Sequence, residues 1–142
     1  MTPTVKYTES EPQEGWVDPE FNDADWKTGT TPFGSIADRV KTMWSSNNIW
    51  IRKEFTVTDL NLNKLFLTLI HANGVEVYIN GKKAFSCVDC RLRKYENFPV
   101  EDAIKTSLRK GKNVLAIRST KGRNTALIDV GILNDRSKIR GI

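Results

Sequence analysis

Between Gly74 and Lys83 the chain reads GVEVYINGKK, in which Val75, Val77 and Ile79 alternate with Glu76 and Tyr78 before Asn80-Gly81. A period of two sends successive side chains to opposite faces of a strand, so this run has one apolar face. Asn-Gly between two such runs marks a tight hairpin, because both central residues of a type I′ turn need the positive φ that Asn and Gly tolerate. The spacing predicts strands over 75–79 and 82–88. Four further runs extend the pattern. IWIRKEFTV, 49–57, sets Ile49, Ile51, Phe55 and Val57 on one face, with Lys53 the polar interruption. LFLTLI, 65–70, is apolar on both faces, as a strand covered on both sides is. NVLAIRS, 113–119, and ALIDVGIL, 126–133, complete the set.

One segment has a different period. In VEDAIKTSL, 100–108, Val100, Ile104 and Leu108 recur every four residues, and Lys110-Gly111-Lys112 supplies a glycine stop. This predicts one short helix of a turn or two that closes one end of an otherwise all-β sandwich. The segment before Ile49 is rich in Gly, Pro, Asn and Asp and predicts long loops with one or two edge strands. Without repeats or low-complexity tracts, the expectation is one domain over 1–142, with its core at about 16–133 and flexible or linker termini.

Composition narrows the class. The chain has 142 residues, the usual size of one domain, with 39% hydrophobic and 27% charged residues, as in globular proteins. No apolar run approaches the roughly 20 residues of a spanning helix, so no membrane partner is expected. MTPTVKYTESEPQEG lacks the basic and apolar regions of a secretory signal. The net charge of +5 is scattered, with small clusters at Arg91, Arg93, Lys94 and at Arg136, Lys138, Arg140. No basic stripe with aromatic platforms or groove-reading helix accompanies them, so nucleic acid is not an expected partner.

Cys87 and Cys90 form a CVDC pair. A zinc site needs further ligands, and His71 is the only histidine. A thioredoxin-like pair opens a helix after a strand, whereas this one follows a hairpin strand. Two readings stand: a local disulfide in an exported chain, or two unreactive thiols in a reducing compartment.

The order of motifs carries a resemblance. Trp16 is followed by Phe21-Asn22-Asp23-Ala24-Asp25-Trp26, Pro32-Phe33-Gly34 and Ile49-Trp50-Ile51-Arg52-Lys53-Glu54-Phe55. After the hairpin come Arg109-Lys110-Gly111-Lys112-Asn113-Val114-Leu115-Ala116 and Ile128-Asp129-Val130-Gly131. From Trp16 to Leu133 this series resembles the galactose-binding-domain-like jelly roll, found as the sugar-binding, non-catalytic domain of glycoside hydrolase family 2 and related bacterial multidomain hydrolases. The resemblance implies a jelly-roll β-sandwich whose partners are a glycan or polysaccharide and the catalytic domain of a parent enzyme, in the periplasm or outside the cell. The pattern departs at His71-Ala72-Asn73-Gly74, where family members commonly carry an acidic residue. The CVDC pair and Arg91-Leu92-Arg93 have no counterpart in it either.

Candidate ligand contacts follow from residue chemistry. Trp44, beside Ser45, Ser46, Asn47 and Asn48, is either a stacking platform with amides at hand or a core residue. Trp50 falls opposite Ile49 and Ile51, so it is either covered by a loop or neighbouring domain or is a platform itself. His71 ends a strand and has no catalytic companion in the sequence, leaving a structural role or a ligand contact. Arg91, Arg93 and Tyr95 alternate after the hairpin as a solvated edge or as a grip on an acidic sugar or partner domain. Asn124 lies in the loop before the last strand.

Two hypotheses result. In one, loop residues such as Trp44, His71, Arg93 and Asn124 bind glycan at one end of the sandwich. In the other, the chain is a structural module on a catalytic domain, with an apolar patch around Trp50 buried by that neighbour together with the 91–95 edge. Glycosidase chemistry needs two carboxylates about 5 to 9.5 Å apart across the scissile bond. Asp23 with Asp25, and Glu101 with Asp102, are pairs in sequence only, and the resemblance assigns catalysis to a separate barrel domain. The loop at 23–25 offers too few oxygen ligands for calcium, so no cofactor or metal is expected.

Overall fold

The computed structural model describes residues 4–62 and 64–134; the basic cluster of Arg136, Lys138 and Arg140 lies outside them. Two sheets face each other. The six-stranded sheet runs in the order β2 (Lys27–Thr30), β1 (Thr4–Thr8), β5 (Asn48–Val57), β10 (Gly111–Thr120), β7 (Val75–Ile79), β8 (Lys82–Cys87). The five-stranded sheet runs β4 (Thr42–Met43), β3 (Phe33–Gly34), β11 (Leu127–Asn134), β6 (Leu65–His71), β9 (Glu96–Pro99). Among the described residues, all pairings are antiparallel except β3 with β4.

The alternating runs build the space between the sheets. Ile117 of β10 sits opposite Ile51 of β5 and Val77 of β7, so three buried β-branched side chains line up across the six-stranded sheet. Leu67, Leu69 and Ile128 of the other sheet join them in one apolar cluster. This β-sandwich is the expected fold class.

The hairpin takes its expected form, with Asn80 at φ 50° and Gly81 at φ 87°. Asn80 also works beyond its turn. Its Nδ2 donates to Ser107 O at 2.9 Å and to Asn113 Oδ1 at 2.8 Å, and its Oδ1 accepts from the Val114 N–H at 2.9 Å. Asn113, fully buried, donates in turn to Arg109 O and Gly111 O. The asparagines of the two turn motifs thus lock the β7–β8 hairpin to the start of β10.

The helix is shorter than its period suggested, α1 (Asp102–Lys105), but Val100, Ile104 and Leu108 all enter the core cluster. Gly111 does not cap it. That glycine opens β10 at φ +90°, six residues beyond the helix end.

Four strands precede Ile49, where one or two edge strands were expected, and β1 lies inside its sheet between β2 and β5. Among the described residues, strand pairing therefore includes Thr4 to Tyr7, ahead of Trp16. β9, an edge strand, was also unexpected; of ENFP only Phe98 packs against the core.

The segment from Trp16 to Trp26 lies over the outer face of the six-stranded sheet and is held there by Arg52. The guanidinium, 4% exposed, donates from Nε to Asp23 Oδ2 at 2.8 Å and from Nη1 to Trp16 O at 2.5 Å and Asp18 O at 2.8 Å. Edge-to-face contacts of Trp16 with Tyr78 and of Phe21 with Trp26 complete the staple expected of these tryptophans.

Candidate functional site

At one end of the sandwich, where β6 finishes and β11 begins, the loops are built around His71. The imidazole is 1% exposed, with Nδ1 2.7 Å from Asn73 O and 3.0 Å from Cys90 O. Both partners are carbonyl acceptors, so Nδ1 carries the proton. The Leu92 N–H donates to His71 O at 2.9 Å. Cys87 and Cys90 form a disulfide that closes the loop after β8, with Asp89 at φ 56° inside it. One histidine and one disulfide therefore pin the segment that presents Arg91 and Arg93.

Those two arginines and Leu92 form one wall of a pocket of about 170 Å³. A second wall is Ile36, Arg39 and Val40 from the 3₁₀ turn region, and 125–127 forms the third. Among the described residues, none of the three guanidinium groups has a hydrogen-bond or ion-pair partner. Three like charges around one small concavity create a positive potential that an anion relieves, and a guanidinium fork matches a carboxylate or sulfate in a bidentate geometry.

Asp129, the acid bonded nearby, is already engaged: the Tyr95 hydroxyl donates to its Oδ2 at 2.5 Å. Burial first, then this hydrogen bond and the Asp129 charge, push Tyr95 ionisation well above the ordinary tyrosine range, while the Arg39 charge pulls the other way.

The structure brings Arg91 and Arg93 to one pocket, with exposed Tyr95 two residues on and exposed Asn124 next to the lining residue Thr125. His71 supports the loop from within instead of facing a ligand. For two tryptophans the structure favours burial over the ligand-contact reading. Trp44 is not an open platform: it is 1% exposed within the core cluster, and its Nε1 donates to Ser46 Oγ at 3.2 Å. Trp50, 6% exposed, offers neither a platform nor an apolar patch for a neighbouring domain, because Arg118 lies over its ring and the chain's own segment 11–17 borders it. Arg39 and Ile36 were missed, since an isolated arginine in a polar loop carries no local signal. Only the fold brings that loop against 91–93.

No protein-family model matches the chain, and no curated protein matches it significantly. Solved structures do match. A β-glycosidase from Bacteroides vulgatus superposes with a TM-score of 0.66 at 18% identity over 94% of this chain. A β-glucuronidase from glycoside hydrolase family 2 gives 0.65 at 21% over 87%, and a family 2 member from Bacteroides cellulosilyticus gives 0.59 at 15% over 89%. The chain spans only 20%, 14% and 20% of those three proteins. Its fold is thus that of a β-sandwich part of family 2 glycoside hydrolases.

Proposed function

We propose that this chain is a non-catalytic module of a larger, exported glycoside hydrolase and that its loop-end pocket binds acidic glycan through Arg39, Arg91 and Arg93. The observation that carries the reading is the presence of three arginines, without side-chain hydrogen-bond or ion-pair partners among the described residues, around one concavity that also holds Ile36, Val40 and Leu92. A uronic acid or a sulfated sugar supplies the anion for the arginines and a C–H face for the apolar residues. Tyr95 and Asn124 stand beside the pocket as flanking contacts.

Several findings support the wider reading. The neighbours' extra length leaves room for a separate catalytic domain, and one of those neighbours is a β-glucuronidase, named for a sugar that bears a carboxylate. The carboxylates paired in sequence are occupied or exposed here: Asp23 is held by Arg52, and Asp102 lies exposed beside Lys105. A disulfide between Cys87 and Cys90 suits an oxidising compartment. We keep residues 1–142 as one domain. The purely structural alternative loses its main support with the burial of Trp50.

The test is affinity for a panel of uronate, sulfated and neutral oligosaccharides. The reading expects acidic ligands to bind, and the double variant Arg91→Ala/Arg93→Ala to weaken them by about tenfold or more, since each charge-assisted contact is worth roughly 1.5–3 kcal/mol. Acidic ligands that fail to bind the folded chain would refute it.

A further inference from the structure

A second concavity lies on the outer face of the six-stranded sheet, away from the arginine pocket. It is a groove of about 580 Å³ between segment 11–17 and strands β5, β7 and β10. The strand register builds its floor. Trp50, Arg118 and Glu76 stand side by side in one cross-strand row, and Tyr78 follows Glu76 on the same face. Trp16 meets Tyr78 edge to face, with centroids 5.9 Å apart and an interplanar angle of 78°. The Arg118 guanidinium lies 5.7 Å from the Trp50 ring centroid, donates from Nη2 to Asn48 Oδ1 at 3.3 Å, and holds Nη1 3.9 Å from Glu76 Oε1. Its Nε is buried and has no hydrogen-bond partner among the described residues. Glu11 and Glu14 border the groove as well.

The groove continues past this row. Glu76 and Arg118 also line an adjoining hollow of about 260 Å³ that extends to Val88, which is 82% exposed.

We propose that this extended cleft binds a neutral oligosaccharide chain. Trp16 and Tyr78, both half-buried, supply aromatic surface for the C–H faces of sugar rings. Glu76 and Asn48 accept from hydroxyl groups, and Arg118 donates to ring or hydroxyl oxygens. Glu11, Glu14 and Glu76 outnumber Arg118 and Lys83, whose Nζ lies 3.7 Å from Glu76 Oε2 and 5.8 Å from the Tyr78 ring centroid, so the cleft repels the acidic sugars that the loop-end pocket attracts. Continuity over two concavities suits a chain of several residues and not a single sugar. Trp50, sealed beneath Arg118, backs the guanidinium and does not stack on the ligand.

The test is calorimetric titration of the full chain with neutral hexasaccharides of glucose, xylose, mannose and galactose, with thermal melts of every variant. Saturable binding to at least one is expected. Tyr78→Ala and Glu76→Gln should each weaken it by about tenfold, and Arg91→Ala/Arg93→Ala should leave it unchanged. Glu76→Gln, which removes a charge without truncating the side chain, serves alone if Tyr78→Ala fails to fold. The proposal is overturned if no hexasaccharide binds, if binding survives in the folded groove variants, or if it is lost only with the arginine pair. Binding of acidic ligands at the loop-end pocket is scored separately, so either site can fail without the other.

Discussion

Arg52 Nε donates to Asp23 Oδ2 at 2.8 Å, and the same guanidinium reaches the carbonyls of Trp16 and Asp18. One buried cation thereby fastens a loop that carries no strand of its own onto a finished sheet. Removing it strands the partly buried Asp23 carboxylate and leaves those carbonyls without their donor. Arg52→Ala should lower stability by about 3 kcal/mol in denaturant unfolding. Arg52→Lys should recover little of it, because an ammonium cannot reproduce the planar fork.

The Asn80–Asn113 pair allows side chain and backbone to be separated at a turn. Asn80→Gly keeps the positive φ but loses the hydrogen bonds to Ser107, Asn113 and Val114, whereas Asn80→Ala loses both. Equilibrium unfolding should rank wild type above Asn80→Gly and Asn80→Gly above Asn80→Ala. The first step should be about 1–3 kcal/mol, the cost of leaving buried polar groups unsatisfied.

Trp44→Ala distinguishes a core residue from a platform. Truncating a fully buried aromatic should cost about 3–5 kcal/mol, read as a large drop in melting temperature. A variant that melts like wild type would contradict the packing described here.

The hairpin, the central strands and the apolar cluster were legible because period-two alternation and Asn-Gly are local signals, and Val75, Val77, Ile79, Leu115 and Ile117 all fell where alternation put them. β1 was not legible, since TVKYT buries only Val5 and is recruited by pairing with β5, a contact between distant residues. β9 was hidden for the same reason. In the candidate site, Arg91 and Arg93 stood out as a short alternating set, while Arg39 reaches them only through the fold. The sequence could not decide Trp44 because a polar neighbourhood says little about burial: Ser45, Ser46 and Asn47 stay at the surface while the indole turns inward.

Tyr95 links the pocket's edge to pH. Its folded ionisation lies above that of an unfolded tyrosine, so its stabilising contribution is complete below about pH 10 and declines as pH rises beyond it. A near-ultraviolet tyrosine titration should show a late-ionising component from Tyr95. That late component should vanish in Tyr95→Phe and move to lower pH in Asp129→Asn, which keeps the neighbour but removes its charge.

The most direct test of the central claim is backbone-amide NMR mapping of the chain titrated with a uronic acid oligosaccharide. The account predicts saturable shifts concentrated at Ile36, Arg39, Arg91 to Arg93 and Thr125 to Leu127, abolished in Arg91→Ala/Arg93→Ala. Absent shifts, or shifts confined to another face and indifferent to the double variant, would contradict it.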